Sequence, residues 1–286
     1  MKTLKSSFNI KGVGLMSGIE FEVEINPVSK KGIYFRYNNK TVQGKTENVI
    51  SADHCVVVAN VNEGADFRVA LIEHFMAACA ICGLDGVEMV FKPLGFDAPM
   101  FEVPILDGSS KVWVEEFNKA GYTGEEDTYP ALETPVTFQK GRSAVILMPL
   151  DSKEEDTKIS YAVNFNHPML NNRWCEMTQD KNLDEITEAR TFGYLKDLET
   201  FQKMGLSKGV TIDNTVGLTD EGFTTDLRSE YEPNKHKILD IIGDLYLTGL
   251  NPLKIKSNII VKEAGHALHI EAAKILKQAY SASLTV

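Results

Sequence analysis

Cysteine is scarce. The chain holds four (Cys55, Cys79, Cys82 and Cys175) in 286 residues, which does not make a disulfide framework. Cys79 and Cys82 form a C-x-x-C, but no second pair exists to complete a four-thiolate zinc site. They lie in the apolar run from Phe75 to Cys82, so they read as buried core cysteines. Long hydrophobic runs are also missing. No segment approaches the ~20 apolar residues of a membrane span, and Met1 to Gly18 has no run long enough for a signal peptide. A cytoplasmic protein without stable membrane insertion is therefore expected. Basic residues are outnumbered, with 30 Lys and Arg against 40 Asp and Glu, a formal net charge of -10. The isoelectric point is about 5.2. That balance argues against a nucleic-acid partner or an anionic membrane surface, while leaving room for a local cationic pocket that takes a phosphorylated small molecule. Two motifs are absent as well. The glycines Gly12, Gly14 and Gly18 are followed by no helix, so they are not a dinucleotide fingerprint, and there is no H-E-x-x-H.

What is present begins with a hydrophobic content of 43%, enough for a substantial core in one large domain or two ordinary ones. Ile19, Phe21, Val23 and Ile25 alternate with Glu20, Glu22 and Glu24, the pattern of a half-buried strand. Phe8 to Val13, Ile33 to Tyr37, Cys55 to Val61 and Val87 to Phe91 read as further strands. Helices are expected over Val69–Leu84 and Val112–Ala120, the second capped by Ser109 or Ser110. Gly121 to Pro130 reads as a linker. Beyond it, strands are expected near 134–139, 143–148 and 159–165, and a helix near 182–188. Thr191 to Met204 is expected to be mostly helical, with strand-like segments near 210–218 and 258–262 and a terminal helix from His266 to about Tyr280. Both halves give several strands and then helices, which predicts an α+β fold of two similar two-layer sandwiches, divided into residues 1–124 and 125–286.

The chemistry centres on Pro233 to Leu245. Glu232 and Pro233 suit a helix start, and Ile238, Ile241, Ile242 and Leu245 recur at helical spacing. His236, Asp240 and Asp244 form a second row, four residues apart, so His236 and Asp240 can point at one cation. Glu73 and His74 sit near the start of an otherwise apolar helix, where hiding them without partners is costly. His74, His236 and Asp240 would give three ligands and an open position, the arrangement of catalytic sites. Glu73 is placed to act as a base, and His266, close to a helix start, as a second acid–base group. Two histidines and a carboxylate suit zinc and also Fe(II). Spacing alone leaves open whether these segments meet.

Together the motifs resemble the UDP-3-O-acyl-N-acetylglucosamine deacetylases, zinc enzymes of lipid A biosynthesis. The likeness is carried by Gly12-Val13-Gly14-Leu15, Glu73-His74, Val103 through Ser109, Phe165-Asn166-His167-Pro168, Ala189 through Gly193, His236 through Asp240 with Gly243-Asp244, and Gly265-His266-Ala267-Leu268. The resemblance implies zinc held by His74, His236 and Asp240, with Glu73 as general base. It implies that His266 is the acid, oriented by Asp244, and that Thr191 donates to the oxyanion. Lys237, Phe165 and Phe192 would contact the UDP-glucosamine, and Leu195, Leu198, Val210 and Ile212 would line an acyl-chain passage built by an insert near 194–213. Each sandwich would carry such an insert, with the active site between them, in a monomer acting on an acylated UDP-amino sugar. A related metal-dependent amidohydrolase with another acylated amino-sugar substrate, or a non-catalytic homologue, is the alternative. Met16, Val210 and His269 stand where the resembled family tends to have His, Gly and Asn.

Overall fold

The computed structural model describes residues 1–93, 98, 100–152 and 155–283. The protein is α+β. Six helices are described: α1 (Glu73–Ile81), α2 (Lys111–Ala120), α3 (Gln179–Thr187), α4 (Leu195–Lys203), α5 (Glu232–Tyr246) and α6 (His266–Ser283).

The first half builds a seven-stranded sheet. Tyr122–Thr123, Thr3–Leu4, Gly86–Phe91, Glu20–Pro27 and Phe8–Val13 follow one another across it, and Gly32–Tyr37 joins Lys40–Gln43 to Gly86–Phe91. The alternation in Glu20–Pro27 sends Phe21, Val23 and Ile25 into the core, paired antiparallel so that Val23 meets Phe91 and Ile25 meets Met89. A four-stranded sheet orders Phe101–Glu102, Arg68–Ala70, Val57–Ala59 and Val49–Ser51. The second half builds a five-stranded sheet in the order Val136–Lys140, Ser143–Pro149, Ser257–Lys262, Lys158–Val163, Arg173–Thr178. Thr191–Tyr194 and Thr215–Leu218 form a separate parallel pair.

One buried apolar core runs from Leu4 through Phe75 and Ile242 to Tyr280, joining the two halves. Its centre is the packing of α1 against α5. At Gly243 a Cβ would lie 2.1 Å from the Glu73 carbonyl oxygen, so only glycine lets the two helix backbones approach this closely. Tyr246 Oη donates to Leu84 O at 2.6 Å and Asn251 Nδ2 to Ala80 O at 2.8 Å, fixing the C-terminal ends of the same two helices.

Several element boundaries differ from the expectation. The first helix starts at Glu73, not Val69, because Arg68–Ala70 pairs in a sheet and Leu71 takes a positive φ of 63° that reverses the chain. A left-handed residue cannot lie inside an α-helix. Thr191–Tyr194 is strand and only Leu195–Lys203 is helix, while the strand near 210–218 is confined to Thr215–Leu218. Within the expected linker, Tyr122–Thr123 pairs with Thr3–Leu4. The strand Arg173–Thr178 was not foreseen. It is paired only with Lys158–Val163 and leaves Trp174 more than half exposed, so it carries no inward alternation to detect. All four cysteines are free, and Cys55, Cys79 and Cys82 are buried.

Candidate metal and acid–base centre

Three helix N-terminal regions converge at the α1–α5 crossing. The reversal at Leu71 and Ile72 puts Glu73 and His74 in the first turn of α1, and the Ser110 hydroxyl donates to the His74 carbonyl at 2.7 Å. The start of α5 is anchored by Glu232, which is fully buried. Its carboxylate accepts from the Arg190 backbone and Nε at 2.9 Å, from Arg190 Nη2 at 3.1 Å and from the Arg228 backbone at 2.8 Å. That anchor sets the phase of α5, and His236, Asp240 and Asp244 then stack along one face toward α1 and α6. His266 opens α6 beside them. All six of these site side chains are less than a tenth exposed.

His74, His236 and Asp240 each present a ligand atom, all within 4.8 Å of one another. Asp240 Oδ1 lies 3.3 Å from His236 Nε2 and 3.8 Å from His74 Nε2. It is buried and receives no hydrogen bond from the described residues. His236 Nδ1 is 2.9 Å from Ala189 O, which fixes that nitrogen as the protonated one and turns Nε2 inward as a free lone pair. Burial, reinforced by His236, pushes His74 down to about 3, and burial also lowers His236, so both imidazoles are neutral. Burial alone would raise Asp240. Lys237, 2.6 Å away, and the charged His266 outweigh it and hold the carboxyl well below its ordinary range. Two neutral imidazoles, a carboxylate and an orphaned buried oxygen are a donor set that fits a divalent metal. Asp244, His266 and His269 cluster as tightly. Here both Nδ1 atoms lie 2.7 Å from Asp244 Oδ2, so these ring nitrogens are already engaged, while Asp244 Oδ1 receives no hydrogen bond from the described residues.

Beside the metal-fitting set stand two groups poised as base and acid. Glu73 Oε2 accepts from the Val56 backbone at 3.0 Å, and Oε1 faces His266 Nε2 at 3.8 Å. Burial raises Glu73 to about 7, against the lowering effect of His266. Burial would lower His266, but Asp244 and Asp240 outweigh it and lift it to about 9. A carboxyl group raised and an imidazole raised, side by side, are the pattern of a divided acid–base task.

A groove of about 460 Å³ lies alongside, and Thr191, Phe192, Leu195, Leu198, Val210 and Ile212 all line it. Leu195 and Ile212 are exposed at its rim. Phe192 connects groove and centre: its ring lies 6.1 Å from His236 and 5.2 Å from Phe165. Lys237 is drawn into the centre by Asp240. Met16 also lines the groove, with its backbone N–H donating to the buried Glu102 at 2.7 Å, so an apolar side chain sits on an apolar wall. Sequence reasoning passed over His54 and Phe201, whose rings meet across the groove at 5.9 Å. His269, which stands where the resembled family tends to have Asn and is the next candidate for the acid after His266, lies in the centre, three residues after His266 on one helix face.

The sequence model of the family described as "UDP-3-O-acyl N-acetylglycosamine deacetylase" matches residues 1–278. Among curated proteins, the UDP-3-O-acyl-N-acetylglucosamine deacetylase of Leptospira biflexa serovar Patoc is 35% identical, covering 99% of this chain and 92% of its own length. The proteins of the same name from Geotalea uraniireducens and Thermosynechococcus vestitus are 32% and 30% identical. They cover 94% and 97% of this chain and 85% and 94% of their own lengths.

Proposed function

Because this chain belongs to the UDP-3-O-acyl N-acetylglycosamine deacetylase family, we propose that it hydrolyses the N-acetyl group of UDP-3-O-acyl-N-acetylglucosamine, releasing acetate, as the committed step of lipid A biosynthesis. The observation that carries this reading is the meeting of His74, His236 and Asp240 around the orphaned Asp240 Oδ1, with Glu73 and His266 at its side. His74, His236 and Asp240 would hold Zn²⁺, with Fe²⁺ as the alternative. When bound, the metal supplies Lewis-acid polarisation of the amide and acidification of water.

The chain's own groups divide the remaining work. The Glu73 carboxylate takes a proton from the attacking water as its oxygen bonds to the acetyl carbon. The Thr191 hydroxyl donates to the oxyanion. As the C–N bond breaks, His266 gives its proton to the leaving amine, and Asp244 keeps its ring aligned. Lys237, Phe165 and Phe192 contact the UDP-glucosamine, and Leu195, Leu198, Val210 and Ile212 face the acyl chain. The groove's apolar walls beside a buried polar centre support this split. No described helix is long and apolar enough to cross a membrane; within this reading the enzyme works in the cytoplasm as a monomer. The domain division falls at 124/125. Every strand of the seven-stranded sheet ends by Thr123 and the five-stranded sheet begins at Val136, which supports it.

The test is acetate release from UDP-3-O-acyl-N-acetylglucosamine, with elemental analysis of the same preparations. His74→Ala, His236→Ala and Asp240→Ala are expected to lose stoichiometric metal and turnover together. Stoichiometric metal in all three would place the site elsewhere. A metal-loaded wild-type enzyme that spares this substrate but hydrolyses another acylated amino sugar would replace the substrate assignment.

A further inference from the structure

Asp244 serves two histidines with one oxygen. Its Oδ2 lies 2.7 Å from His266 Nδ1 and 2.7 Å from His269 Nδ1, while Oδ1 receives no hydrogen bond from the described residues. Beyond His269 the chain of contacts continues. Its Nε2 lies 2.9 Å from Tyr161 Oη, and Oη donates to Ala264 O at 2.7 Å. His269, Tyr161 and Asp244 are each fully buried.

The protons along this chain can be counted. It starts at a carboxylate and ends at a carbonyl, both acceptors, with an imidazole and a phenol between. Three contacts need three protons, whereas a carboxylate, a neutral imidazole and a phenol bring two. The single Tyr161 proton is committed to Ala264, because two oxygens 2.7 Å apart with no proton between them repel. Tyr161 can then only accept from His269, so Nε2 must be a donor, and the Nδ1–Oδ2 contact requires a third proton beyond those two. We propose that His269 is a positioning residue for His266: it donates from Nε2 to Tyr161 and shares a proton with Asp244, pinning the one oxygen that orients His266. The proposal rests on the role given to His266 above.

The groups facing His269 are Asp244 and Lys237 from α5, Tyr161 from the strand Lys158–Val163, and His266 from its own helix. Burial leads in pushing the imidazole below its ordinary value, against Asp244. That balance decides on which side of the Nδ1–Oδ2 contact the shared proton rests, as in any tightly coupled pair. The Nε2 proton is required on either side.

The experiment is ¹⁵N spectroscopy of histidine-labelled full-length protein, metal-free and metal-loaded, with His269→Asn to assign the signals. Nε2 of His269 is expected to carry a hydrogen in both forms. In Tyr161→Phe, which removes a single oxygen, that hydrogen should leave Nε2 and the ring should become the Nδ1–H tautomer. On the loaded enzyme, Tyr161→Phe should lower kcat by about tenfold with KM within about twofold, the usual range for an outer partner. His269→Asn keeps an N–H donor, so it should retain more kcat than His269→Leu. A bare Nε2 in the wild type overturns the proton count. Wild-type kcat in Tyr161→Phe, or equal losses in the two His269 variants, overturns the positioning role. If the wild type proves inactive on the substrate, the deacetylase reading fails, while the spectrum still decides the proton count.

Discussion

The polar centre and the apolar groove adjoin at Thr191 and Phe192, yet they are built by opposite means. In the centre, the metal-fitting, base and acid side chains all stand on helices, and the helices are held by backbone contact at Gly243 and by the Glu232–Arg190 pair. Three buried atoms there, His74 Nδ1, Asp240 Oδ1 and Asp244 Oδ1, have no hydrogen-bond partner among the described residues, and Asp240 Oδ1 is the one that suits a cation. The groove is made from a short helix, the strand pair Thr191–Tyr194 and Thr215–Leu218, and loops, with Leu195 and Ile212 left open to solvent. Its walls meet the turn at Leu15 and Met16 through backbone hydrogen bonds from Lys208 and Gly209. Rigid helices suit chemistry that needs fixed distances. A loop-built apolar wall suits a flexible chain whose length can vary while the reacting bond stays the same.

That contrast can be broken most severely at the proton-handling pair. Glu73→Gln and His266→Ala should each cost on the order of 10²–10⁴ in kcat with metal still bound, checked by elemental analysis. The wild type should show a bell-shaped kcat/KM profile. In the proposed mechanism Glu73 works as a carboxylate, so the rate should fall on the acid side. His266 works protonated in the same scheme, so the rate should fall on the alkaline side, above the ordinary imidazole value because of Asp244 and Asp240. Near-native kcat in Glu73→Gln would end its assignment as base. Gly243→Ala tests the helix crossing itself. Its Cβ would press on the Glu73 carbonyl, and overpacking of this kind costs about 1–3 kcal/mol. Calorimetry should record that loss, and metal affinity should fall with it, since His74 is pushed away from His236 and Asp240. Unchanged metal affinity would show that the crossing tolerates separation.

Glu232→Gln probes the anchor of α5. Breaking a buried charge pair costs about 3 kcal/mol, read by denaturant unfolding at neutral pH. The pH dependence has a definite sign. Burial would raise Glu232, but its hydrogen bonds to Arg190 and Arg228 outweigh this and leave it below the ordinary 4.5. Its stabilisation is therefore complete above that value and is lost as pH falls through the lower folded value. Wild type and variant should converge in acid, and a gap that stays constant to low pH would contradict this. The smallest effect belongs to the groove. Val210→Gly should shift preference toward longer or bulkier acyl chains with little change in kcat on the best substrate. An unchanged chain-length profile would remove Val210 from the wall.

The same contrast explains what could be read from the sequence. His236, Asp240 and Asp244 announced themselves because a four-residue period on an apolar helix is a local signal. Glu73 and His74 were visible as charges in an apolar run. Their meeting with α5 was not visible, because it depends on Gly243, and a glycine's near-contact with a backbone 170 positions away in the chain leaves no pattern. The start of α1 was misplaced because Leu71 looks like any helical leucine until its φ is known. The strand Arg173–Thr178 stayed hidden for lack of alternation. His269 stood out only as a departure from the family's usual Asn and Tyr161 only as part of a strand, and their shared contact is what joins them.

The close crossing of α1 and α5 also bears on the order of assembly. Asn251, which ties down the end of the same crossing, finds its acceptor at Ala80, 171 residues earlier in the chain. During synthesis from the N-terminus, Phe35 precedes α1 and Trp113 and Phe117 follow it soon, and these pack on Phe75, but α5 comes much later. The face of α1 that carries His74 must therefore wait, and a loop of that length closes slowly compared with local helix formation. Until α5 arrives, His74 is a solitary imidazole with no neighbouring ligand to help it hold an ion. The three metal-fitting side chains thus come together only with the finished fold, and on the proposed reading half-made chains have little means of capturing metal at the wrong time.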